Sequence, residues 1–214
     1  MTDQQSPYPV RFSVGYPDRP LSRLTTFFRI VTVIPIAIVL GAVSGGTWQW
    51  SSSSGSGTRD AVVGAGGLLV AGPLLMILFR RKYPRWWFDW NLELLRFSNR
   101  VGVYLALMDD RYPSTDDQQS VRLDIDYPDA GTDLNRWLPL VKWLLAVPHY
   151  IVLFFLDIAM VIMVVLAWFA IVLTGRYPRA AFDFAEGVIR WHNRVVGYAF
   201  IMVTDAYPPF SLRP

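Results

Sequence analysis

Residues 143–174 read "WLLAVPHYIVLFFLDIAMVIMVVLAWFAIVLT", and with Tyr and Trp set aside only His149, Asp157 and Thr174 are clearly polar. As one helix this stretch would run about 48 Å at about 1.5 Å per residue, well past a hydrocarbon core of about 30 Å. Its length therefore predicts that it folds back on itself. Asp157 is the single charge in it, so the expected turn falls near Leu153 to Asp157, although no Gly or Pro marks the place.

Upstream, two further apolar segments, about 22–43 and 61–79, are separated by "GGTWQWSSSSGSGTRD" (residues 45–60), a Gly/Ser-rich linker. The whole chain has 214 residues, 53 % apolar and only 17 % charged, far from an ordinary soluble composition. Together these features predict an α-helical polytopic membrane protein. Its four transmembrane helices would lie at about 22–43, 61–79, 134–155 and 158–174, arranged as two tandem hairpins.

The first twenty residues are polar and Pro-rich, unlike a secretory signal peptide, so the first apolar segment reads as a retained anchor. With no Cys, the chain has no disulfide, thiolate metal site or Cys nucleophile. A net charge of +3 does not point to nucleic acid, because cytoplasmic loop charge accounts for it. In the four-helix reading every Lys and Arg except Arg59 falls on one side. The positive-inside rule then predicts a multi-pass protein of the inner (plasma) membrane with N and C termini cytoplasmic. Arg29 and Lys142 fall inside membrane segments, where long side chains are expected to snorkel toward the interface.

The chain also repeats itself: "KYPRWWFDWNLELLRFSNRVGVY" (82–104) is answered by "RYPRAAFDFAEGVIRWHNRVVGY" (176–198). Val10 to Asp18 likewise answers Val121 to Asp129, and Arg23, Arg29 and Pro35 answer Arg136, Lys142 and Pro148. The organisation expected is an N-terminal arm (1–9), repeat unit 1 (10–113, with the Gly/Ser loop at 44–60), a linker (114–119), repeat unit 2 (120–210) and a C-terminal tail (211–214). Each unit reads as strand, two membrane helices, surface helix, strand. Alternation in "VRLDIDY" gives the first strand, and Tyr-Pro-Arg opens the surface helices at 85–100 and 179–194. The segments after Asn99 and Asn193, rich in Val and aromatics, read as strands in preference to continued helix, so that two units supply a four-stranded sheet in an α+β cytoplasmic layer. The copies share one orientation, with a symmetry axis along the membrane normal.

On the surface helices, Asp89, Arg96 and Arg100 share one face, and Asp183, Arg190 and Arg194 repeat it. With Arg85, Asn99, Arg179 and Asn193 they form a stripe open to two readings. It links helix to sheet, or its guanidinium forks bind lipid phosphates. His149 follows Pro148 within an apolar segment and reads as a hydrogen-bonded or interfacial His rather than a ligand, since its counterpart is Ile36. His192 answers Ser98, which excludes a catalytic His common to both units. No G-x-S-x-G, H-E-x-x-H, G-x-x-x-x-G-K or G-x-G-x-x-G occurs, and "GAGGLLVAG" (64–72) reads as close helix packing through small residues. No catalytic residue, cofactor or metal site is assigned.

The combined pattern, Tyr-Pro-Asp before a membrane hairpin and Y-P-R-x2-F-D followed by N-R-V and a closing Tyr-Pro, resembles a family of bacterial integral membrane proteins catalogued as domain of unknown function 4389. The resemblance runs from about Val10 to Phe210 in two tandem copies. It supports the membrane topology and supplies no activity. The expected function is therefore non-enzymatic: an accessory, scaffold or lipid-interacting subunit of a membrane assembly, with membrane lipids, a membrane protein or a second copy as partners. The alternative is a lipid or small-solute transporter built from two pseudo-symmetric units. An enzyme acting on headgroups through Asp89, Asp183 or His192 is the weakest reading.

Overall fold

Alternation of apolar and polar side chains makes two strands. In the computed structural model, which describes residues 8–44, 72–115, 117 and 119–214, β1 is Val10–Val14 and β2 is Val121–Ile125. Each turns its first, third and fifth residues, all apolar, inward and its polar residues out. They pair antiparallel with Phe12 opposite Leu123 at the centre of the register. Among the described residues the sheet has these two strands, not four.

The α-helices with both ends among the described residues are, in chain order, α1 (Arg23–Phe27), α2 (Arg29–Ser44), α3 (Arg85–Leu105), α4 (Pro139–Leu145), α5 (Val147–Thr174) and α6 (Arg179–Ala199), with a π-helical turn at Met76–Arg80 before α3. Pro84 and Pro178 sit at the N-caps of α3 and α6, where a missing N–H is harmless. Both helices run about a turn and a half beyond their Asn. The segments expected as strands after Asn99 and Asn193 are thus the last turns of α3 and α6. Packing decides this against β-propensity, because Val101 and Tyr104 bury against Val33 and Ile36 of α2, while Val195 and Tyr198 bury with Leu153 of α5. The chain then reverses through two left-handed residues, Leu107 and Met202.

The stretch expected to fold back near Leu153 to Asp157 does not. It is a single helix, α5, of 28 residues, preceded by the short α4. Asp157 makes no turn: its carboxylate lies 3.4 Å from His192 Nε2 on α6. The reversal comes later, at Gly175, whose left-handed backbone (φ +75) caps α5 and sends its N–H to Ile171 O at 2.7 Å. α5 and α6 are therefore the hairpin, with His149, Leu153 and Asp157 of α5 packed on Trp191, His192 and Val195 of α6.

Among the described residues α5 is the one helix long and apolar enough to cross a membrane. Among the described residues α2 gives a shorter apolar helix, Arg29–Gly41, which contains Pro35. The expected segment 134–155 is divided between an irregular stretch, α4 and the start of α5. The Gly/Ser linker, Arg59 and residues 61–71 of the expected second helix lie outside the described residues. The four-span architecture of two membrane hairpins is accordingly overturned, and the multi-pass topology and terminus orientation drawn from it lose their basis.

Three layers result. α6 meets β1 through Arg190 and Gly197 and meets α5 on its opposite side through Trp191, Val195 and Tyr198. In the same way α3 meets β2 through Arg96 and α2 through Phe97, Val101 and Tyr104. The sheet forms one outer layer, α3 and α6 the middle, and α1, α2 and α5 the other outer layer.

Candidate functional site

The basic residues and asparagines of the stripe are turned onto the chain itself. Arg96 Nε donates to Leu123 O at 3.0 Å and Arg190 Nε to Phe12 O at 2.9 Å, so each middle helix is clamped to the central residue of one strand. Arg100 donates to Asp117 O and Thr115 O, and Arg194 to Ser211 O and Arg213 O, which ties in the segments that follow. The Arg85 guanidinium lies over the Tyr127 ring at 5.1 Å and that of Arg179 over Tyr16 at 4.0 Å. Asn99 and Asn193 face each other across the two middle helices. Asp89 and Asp183 are exposed. The geometry is that of a structural clamp on the sheet side of α3 and α6.

Four tyrosines whose Tyr-Pro positions read only as punctuation prove central. Tyr83 OH donates to Ile201 O at 2.8 Å and Tyr177 OH to Ala106 O at 3.1 Å, each hydroxyl reaching across to the far end of the other middle helix. Tyr127 OH donates to Tyr83 O, and Tyr16 OH to Tyr177 O at 2.6 Å. The only signal in the sequence was their recurrence.

Arg29 and Lys142 do not snorkel. Arg29 is 2 % exposed, donates to Tyr104 O and Asp109 O, and lies 4.0 Å over the Tyr104 ring. Lys142 is fully buried, donates to Thr204 O at 2.7 Å, pairs with Asp205 at 2.7 Å and lies 5.2 Å over Tyr198. Burial draws both pKa values down, opposed in Lys142 chiefly by its hydrogen bond to Asp205. Each cation fastens the outer layer to the end of a middle helix. His149 is buried as well, its Nδ1 accepting from Trp191 Nε1 at 3.1 Å and its ring stacked 4.0 Å from Phe210. Among the described residues no three His, Asp or Glu side chains gather as a metal site.

What remains outward is apolar. Only 11 % of the most apolar window of α5 is buried, unlike the core helix of a soluble protein, and Ile30 and Leu173 are 79 % and 73 % exposed. Leu24, Phe27, Ile34, Phe155, Ile162 and Phe169 extend the same surface over α1, α2 and α5. Isolated exposed apolar residues are ordinary, but a whole layer of them marks a surface that meets lipid or protein. On the opposite side a cleft of about 970 Å³ opens between the outward residues of β1 and β2, α6 and the C-terminal segment, with Tyr8, Arg11, Arg122 and Tyr207 in its walls.

Residues 136–211 match the family called domain of unknown function (DUF4389). The matched segment holds α4, α5 and α6 and begins after β2. It is found once, so the two tandem copies expected from the resemblance reduce to one in the comparison. No curated protein and no solved structure matches the chain.

Proposed function

We propose that this protein is a membrane-associated accessory or scaffold subunit, non-enzymatic, held at the plasma membrane by its apolar outer layer. The single observation that carries the reading is the exposed apolar face of α5, continued by α1 and α2. The stripe arginines serve as clamps within the fold, because their donors go to carbonyls and rings of this chain; lipid contact falls to the other side. The sheet side, with its cleft, is the surface left for a protein partner.

The reading extends to the whole chain as two copies of one unit related by an approximate two-fold axis between Asn99 and Asn193 and between Phe12 and Leu123. Support comes from paired contacts at matched positions: Arg96 and Arg190 on the two central strand residues, Tyr83 and Tyr177 on opposite helix ends, and left-handed backbone at Arg81 and Gly175 and at Leu107 and Met202. DUF4389 would then describe the second copy, with the first a diverged relative. Cross-linking in native membranes followed by detergent purification tests the role. A discrete heavier species is expected, and a chain recovered alone would remove the scaffold reading.

A further inference from the structure

Building on that membrane-associated reading, we propose that α5 lies flat in the headgroup-to-acyl boundary of one leaflet of anionic lipid, beside α1 and α2, although it is long enough to cross. One face of α5 carries Ile151, Phe155, Ile158, Ile162, Phe169 and Leu173 at helical spacing, all exposed. The other face is held by α6 over its first half and by α1 toward its end, where Trp168 Nε1 donates to Thr26 O at 3.2 Å. His149 accepts from Trp191 near one end, Asp157 meets His192 in the middle, and Ala167 and Ile171 are fully buried near the other.

This pairing decides the orientation. α6 is bound in turn to β1 through Arg190 and Phe12 O, and the strands expose Arg11, Arg122 and Asp124, with Asp126 exposed just past β2. If α5 stood across the bilayer, α6 and the sheet would stand beside it at hydrocarbon depth. Each lipid-exposed charge there costs at least about 2.5–3.5 kcal/mol. Both edges of a two-stranded sheet would also face lipid, where no backbone partner exists. Asp157, about 15 Å along the helix from its start at about 1.5 Å per residue, would fall near the midplane. Laid flat, the same fold keeps every one of these groups on the aqueous side. Its apolar layer sinks about 5–10 Å, the depth of an interfacial helix.

Charge complementarity selects the occupant. Arg23 opens α1, Arg80 and Lys82 close the segment before α3, and Arg176 follows α5; all four are exposed at the margins of the apolar layer. Trp137 before α4 and Trp143 within it, 64 % and 57 % exposed, stand at the other margin. Basic and tryptophan rims suit anionic headgroups.

The chain has no Cys, so single Cys substitutions report position directly. Full-length T132C and R176C, on either side of α4 and α5, are to be treated with an impermeant maleimide in sealed vesicles of phosphatidylcholine and phosphatidylglycerol. Fluorophores on F155C, I162C and F169C are quenched in parallel with lipids brominated at known depths. Labelling of both ends from one side and equal, shallow depths are expected; ends on opposite sides, or Ile162 markedly deeper than its neighbours, would overturn the flat seat while leaving membrane association standing. A chain that fails to float with vesicles and is a stable soluble dimer would overturn both. R80E together with K82E should lower partition onto phosphatidylglycerol vesicles about tenfold or more, given about 1 kcal/mol per basic residue, and unchanged partition would overturn the anionic-lipid assignment.

Discussion

Asn99 and Asn193, in the middle of α3 and α6, exchange two hydrogen bonds, the Nδ2 of each donating to the Oδ1 of the other at 2.8 and 2.7 Å. The second proton of each amide goes to the carbonyl four residues back, Leu95 O and Ile189 O, so both donors are fully used. Truncating one leaves a buried amide without its partner, and Asn99→Ala is expected to cost about 1–3 kcal/mol. Denaturation of both single variants and the double variant measures the coupling. The double should cost less than the sum by about 1 kcal/mol, and strict additivity would mean that the pair does not act as a unit.

Arg190 and Arg96 occupy matching positions but are not equally committed. Arg190 adds bonds to Leu212 O and Glu186 to its clamp on Phe12 O, and its side chain is nearly buried, whereas Arg96 adds Glu93 and Asp124 at a partly exposed site. Exposed pairs contribute little, and charged hydrogen bonds in a buried site about 1.5–3 kcal/mol each. Arg190→Ala should therefore shift the denaturation midpoint several times further than Arg96→Ala, and equal shifts would contradict the assignment.

Gly197 lets α6 approach β1 closely. A Cβ there would stand 2.7 Å from Val10 Cγ2 and 3.4 Å from Val203 Cγ2. Gly197→Ala should destabilise by about 1–3 kcal/mol through overpacking, despite the better helix propensity of Ala. Pairing it with Val10→Ala should recover much of the loss, which thermal unfolding of the three variants would reveal.

Burial raises the pKa of Tyr83, Tyr177 and Tyr8 above the ordinary value of 10.0. The folded chain keeps these protons at pH values where the unfolded chain releases them. Their contribution is thus complete below about pH 10 and is lost as pH rises beyond it, by about 1.4 kcal/mol per pH unit for each group. Tyrosinate absorbance should appear together with unfolding rather than before it. Tyr83→Phe should flatten the alkaline slope while costing about 1 kcal/mol at neutral pH for its lost bond to Ile201 O.

The strands were legible, because Val121 to Ile125 alternates and only a strand satisfies period two. The surface helices were legible in their starts and not in their ends. Nothing local distinguishes "VGVYL" as helix from the same letters as strand, and the choice was made by Val33 and Ile36, more than sixty residues upstream. The turn at Asp157 failed for a related reason. A charge in an apolar run was read as an exit to water, whereas its partner His192 lay on a helix the chain had yet to make. The stripe was legible as a stripe; its acceptors, mostly backbone carbonyls, have no sequence signature at all.

β1 pairs with β2, and Phe12 meets Leu123 only after more than a hundred further residues have been made. During synthesis the first strand therefore leaves the ribosome with an open ladder and an uncovered apolar face, and no local contact can close either. The early chain must be sheltered until its mate emerges, so the tight hydroxyl-to-carbonyl crossings of Tyr83 and Tyr177 are late events, fastened only after the last helix has been completed.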